Sequence, residues 1–163
     1  MRTLAYVLLG IITVYLQAQV IPMGFHTIWV PNLILVWVVL LTLLNGRRTG
    51  LFVAIVGGLI HDVLISNFFG LHMFPYVIIV YLLSFVKARI YEEQWYISFI
   101  LVVLSTIVDG LVRMGMLYMI RADISFLPYM WHMVLPPMLL NGGLGVIIHF
   151  MLWKLEEKEQ YMW

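Results

Sequence analysis

Apolar residues along the chain gather into six runs, at about 4–21, 28–44, 51–66, 71–86, 95–120 and 133–153, separated by short polar or helix-breaking turns. Each run is close to the roughly 20 residues that a membrane-spanning helix needs. The first stops at the uncharged Pro22-Met23-Gly24. The second opens with Trp29 near an interface and Pro31 in its first turn, where a missing N–H costs least, and it ends at the basic turn Asn45-Gly46-Arg47-Arg48-Thr49-Gly50. The third is short, roughly 24 Å by helical rise, so it must stand upright, thin the bilayer or lean on its neighbours. An uncharged corner, Asn67-Phe68-Phe69-Gly70, leads into the fourth, and the charged stretch 87–94 follows it. The fifth starts at Trp95-Tyr96 and ends at Arg121-Ala122-Asp123. Residues 124–131, with Pro128, read as a surface segment of interfacial aromatics. Pro136-Pro137 predicts a kink or irregular turn early in the sixth run, and the charged tail 154–163 extends it.

Composition agrees with this pattern. With 64% hydrophobic residues, 10% charged residues and mean hydropathy +1.03, the chain is neither an ordinary soluble domain nor a disordered one. The predicted fold is an all-α membrane protein, a compact bundle of six transmembrane helices in a single domain spanning 1–163. Six spans use roughly 120 residues, which leaves no room for a nucleotide-binding domain. The net charge of +1 points to no nucleic-acid partner, and the lack of Cys excludes disulfides and thiolate chemistry. The apolar run after Arg2 is too long for a signal core and has no small-x-small site near 17–19, so an uncleaved first span is expected. With six spans, Arg2, Arg47, Arg48, Lys87, Arg89, Lys154 and Lys158 fall on one side and only Arg121 on the other, which predicts cytoplasmic termini.

The few polar residues inside the runs carry the functional question. Counting about 1.5 Å per residue, Asp62 lies roughly 18 Å into span 3 and Asp109 roughly 20 Å into span 5. Asn141 in span 6 falls in the same outer-half layer, with Gln17, Gln19 and Asn32 near it. Asp109 and Arg113, four apart on one helical face, can neutralise each other. Asp62 has no such partner on its own helix; Arg113 across the bundle is the nearest expected cation, or else Asp62 is hydrated from an outward-facing cavity. A buried acid of this kind usually faces the bundle interior, and a structural tie is weighed ahead of transport or catalysis. His61-Asp62 spells a dipeptide found in metal-dependent phosphohydrolases, but His26, His72, His132 and His149 show no ligand spacing. No nucleophile motif or phosphate-cradling loop is present, so neither an enzyme nor a cofactor is expected. Ala54, Gly57 and Gly58 in span 3, and Gly142, Gly143 and Gly145 in span 6, are small-residue notches that suit close helix packing, within the chain or against a partner's helix.

On these residues the chain resembles the rod shape-determining protein MreD family. The features are the six spans, Gln17, Pro31-Asn32, the pattern from Gly50 through Gly58-Leu59-x-x-Asp62 to Gly70-Leu71, Asp109, and Pro136 with Asn141. The resemblance implies a non-enzymatic subunit of the bacterial cell-elongation machinery in the inner membrane. It would bind the single-span protein MreC and connect MreB filaments to the peptidoglycan synthase RodA and its transpeptidase. It also implies a fold similar to the substrate-binding S components of energy-coupling-factor vitamin transporters, and that similarity supplies the alternative function, vitamin capture from an outward cavity. No small-molecule ligand is expected under the leading reading.

Overall fold

The computed structural model describes residues 2–24, 30–64, 66, 68–87 and 94–160, with side chains described from Leu9 to Leu152 apart from a few turn positions. Trp29, His26, Asn67, Arg89, Glu92 and Glu93 lie outside the described residues, as do the side chains of Arg2, Lys87, Lys154 and Lys158. Among the described residues the structure is helical without strands, and it forms six rods.

The first rod joins α1 (Arg2–Tyr15), a π turn (Leu16–Val20) and α2 (Ile21–Gly24). Helical backbone thus runs through Pro22, where the sequence had suggested a stop. A proline supplies no N–H to the carbonyl one turn back, and the wider i→i−5 turn lies just upstream of Pro22. The sixth rod repeats the device: α7 (Phe126–Tyr129), a π turn (Met130–Val134) and α8 (Leu135–Gln160) are continuous. Both π turns end two residues before a proline, here the buried Pro136. The irregular turn expected from Pro136-Pro137 is therefore present. The aromatic surface segment is helical from Phe126 and opens this rod, with Phe126, Leu127 and Trp131 exposed.

α3 (Leu33–Asn45) is the centre. Leu35, Val36, Val38, Val39 and Leu40 are all at most 1% exposed, as expected of a helix that is apolar all round. It packs against α4 (Arg47–Leu64), α5 (Met73–Lys87), α6 (Trp95–Met119) and α8. Its helix starts after Pro31 rather than before it, because the Asn32 side chain caps it by accepting the Leu35 N–H at 3.0 Å. Gly46 alone, at φ 85°, makes the turn into α4. That helix consequently has 18 residues, about 27 Å, and it starts at Arg47, inside the stretch read as a turn.

The glycine notches are largely filled by the chain itself. A Cβ on Gly58 would collide with the Met73 backbone, one on Gly142 would stand 2.8 Å from the Phe99 ring, and one on Gly145 2.9 Å from Val102. Ala54 is fully buried in the core. Gly143 faces open space. α6 closes with a Schellman turn in which Ala122 N–H reaches Leu117 O and Arg121 N–H reaches Tyr118 O, both at 3.0 Å, and Arg121 takes φ 58°. Many large apolar side chains remain exposed around the bundle, among them Ile100, Leu104, Leu139 and Ile147. Among the described residues two helices, Trp95–Met119 and Phe126–Leu152, are long and apolar enough to cross a membrane.

Candidate functional site

The polar layer converges on Asn32, at the entry to the central helix. Gln17, buried in the first π turn, brackets this residue: its amide nitrogen donates to Pro31 O at 3.1 Å and its oxygen accepts the Leu33 N–H at 2.8 Å. The Asn32 backbone N–H donates to the Asn141 side-chain oxygen at 2.7 Å. Asn141, fully buried on α8, in turn donates to Thr106 Oγ1 on α6 at 3.1 Å. In the other direction the Asn32 amide nitrogen lies 2.7 Å from the Tyr76 hydroxyl on α5, and that hydroxyl is 2.8 Å from His61 Nδ1 on α4. One connected set of amides, hydroxyls and an imidazole therefore reaches all six rods. Such groups are costly to bury alone and become a specific tie once mutually satisfied.

Asp62 is held beside this set by a different device. Its Oδ2 accepts the Gly70 N–H at 2.9 Å and the Met73 N–H at 3.2 Å; its Oδ1 accepts the His72 N–H at 2.8 Å and faces His72 Nδ1 at 3.0 Å. Gly70, at φ 92°, turns the corner so that these N–H groups converge. The carboxylate thus sits at the N-terminal end of α5, where helix donors and the helix dipole both favour a negative charge. The His72 ring stacks on His61 with centroids 3.9 Å apart and planes 15° from parallel. The expected cross-bundle partner Arg113 is not bonded to Asp62. It pairs with Asp109 at 2.7 Å as the i,i+4 spacing predicted, leaving Asp109 Oδ1 and Arg113 Nε buried without partners.

Sequence reasoning placed Gln17, Asn32 and Asn141 in one layer, and here they meet; Gln19 instead points outward. It missed Tyr76, Thr106 and the meeting of His61 with His72. A usable signal was present: His61 and Tyr76 stand at nearly equal distances from the corner at Phe68, so two antiparallel helices bring them face to face.

The arrangement has the chemistry of a clasp. Its members donate and accept among themselves, and Tyr76, Asn141, Asp62 and His61 are at most 4% exposed. Ser98 and His149 add a second α6–α8 contact at 2.9 Å. The profile of the rod shape-determining protein MreD family matches residues 1–158. The chain belongs to the MreD family. No curated protein and no solved structure matches it. Membership in a family of rod shape-determining membrane proteins agrees with the two long apolar helices and the apolar exterior of the bundle.

Proposed function

We propose that this protein is a non-enzymatic inner-membrane subunit of the bacterial cell-elongation complex, whose task is to hold the transmembrane helix of MreC and so link MreB to the peptidoglycan synthase RodA and its transpeptidase. The family match over 1–158 carries this reading. The self-satisfied polar set supports it, because a rigid bundle can offer its outer faces as fixed rails. In this reading all six rods cross the membrane, both termini are cytoplasmic, and the bundle is like that of the vitamin-transporter S components. No observation favours vitamin capture.

One face suits a partner helix. On α8 the exposed Leu135, Leu139, Gly143, Ile147 and Met151 recur every four residues, a ridge about 24 Å long. Gly143, with open space around it, lets a second backbone approach closely. Coexpression with MreC and affinity purification from membranes tests the reading. A stable complex is expected, weakened by Gly143→Leu; failure to recover any complex would count against it.

A further inference from the structure

A second concavity differs from the α8 ridge in length, shape and charge. Between α1, α3 and α4 lies a cavity of about 680 Å³ walled by Ile11, Trp37, Leu41, Phe52, Val56 and Ile60. Its α4 wall runs from Thr49 to Ile60, eleven residues or about 16 Å. A transmembrane helix would need a seam close to the full hydrocarbon thickness of about 30 Å, whereas one leaflet supplies about 15 Å.

Of the described lining residues Thr13, Asn45 and Thr49 are polar; the Thr13 hydroxyl is bonded to Leu9 O at 2.8 Å, and the other two lie at one end of the groove. Asn45 Oδ1 is buried there without a hydrogen-bond partner. Arg48, exposed and one turn before Phe52 on α4, flanks it, whereas Arg47 lies over the Tyr81 ring of α5 at 4.2 Å. The positive end of the α4 dipole is at the same place. A largely apolar slot one leaflet deep, with a cation and an unused acceptor at its mouth, matches one class of molecule. Its acyl chain would fill the slot, its phosphate would meet Arg48, and a headgroup hydroxyl would donate to Asn45 Oδ1.

The geometry points to a binding site for an anionic phospholipid with a hydroxyl-bearing headgroup in the α1/α3/α4 groove, anchored by Arg48 and Asn45. This inference rests on the membrane reading above and not on the partner assigned to the α8 ridge. Juxtamembrane basic side chains favour anionic lipid by about fivefold each.

Trp37 on the groove wall makes the test direct. The full chain is reconstituted in vesicles containing increasing mole fractions of phosphatidylglycerol or phosphatidylcholine brominated on the acyl chains. The Trp37 contribution is isolated by difference from Trp37→Phe. Brominated phosphatidylglycerol should quench Trp37 with an apparent affinity about fivefold above that of phosphatidylcholine. Arg48→Gln, at an exposed position, should abolish the preference while leaving helicity unchanged. Val56→Phe, which fills the slot, should reduce quenching by both lipids. Equal quenching by the two lipids in the unsubstituted chain would mean ordinary boundary lipid and overturn the proposal. So would an unquenched Trp37 when the exposed Trp95 and Trp131 are quenched. If these two also escape quenching, the membrane reading itself fails.

Discussion

Replacing Asp62 separates two accounts of an intramembrane acid. If its role is to accept the corner N–H groups, Asp62→Leu strands the donors of Gly70, His72 and Met73 and removes the His72 contact. Each buried donor left unpaired costs about 1–3 kcal/mol. Phe68 and Phe69 beside the corner are exposed, so some donors will recover water, and a net loss of about 3–5 kcal/mol is expected. Asp62→Asn keeps one acceptor oxygen and should lose about half as much. Steric-trap unfolding in bicelles reads these free energies without leaving a lipid environment. The charge-swapped pair Asp62→Arg with Arg113→Asp is the sharper discriminator. The corner needs an acceptor that arginine cannot supply, and Asp109 would then face a second carboxylate. The double variant should therefore be no more stable than the worse single variant. Recovery above either single, or an Asp62→Leu protein as stable as the parent, would refute the assignment of Asp62 to the corner.

Other consequences follow from the same geometry. Tyr76→Phe and His61→Leu should be coupled by about 0.6 kcal/mol in a double-mutant cycle, the average for interhelical hydrogen bonds in lipid, where the maximum is about 1.7 kcal/mol; additive effects would remove that link. Gly58→Ala places a Cβ against the Met73 backbone and should cost about 1–3 kcal/mol, whereas Gly143→Ala, in open space, should stay within about 0.5 kcal/mol of the parent in the same assay. Arg121→Gly relieves the left-handed backbone at the end of α6 and should stabilise by about 1 kcal/mol, read as a higher midpoint of thermal aggregation in detergent.

The six rods were legible because each turn carries its own residue signal and the apolar runs match helix length. The meeting of Gln17, Asn32 and Asn141 was legible because counting helical rise needs only the turn positions. What Asp62 faces was not legible. Its partners are backbone N–H groups, which no residue letter encodes, and a search for a cation led to Arg113. The start of α4 was misjudged for a related reason. Arg47-Arg48-Thr49 looks like a turn by charge, yet a single left-handed Gly46 suffices to reverse the chain. Pro22 and Pro136 marked real irregularities, but each follows a π turn within continuous helix, so the boundaries shifted while the rods remained.

The proposed role, a rigid rail for a partner helix, can be tested directly. Because the chain has no native cysteine, single-Cys variants scanned along the exposed faces of α4, α6 and α8 can be crosslinked in native membranes to a single-Cys MreC helix. The account predicts crosslinks recurring about every 3.6 residues along one face, strongest at Leu139 and Ile147, in variants that still support rod shape. Shape-competent variants that crosslink at no position on any face would contradict it.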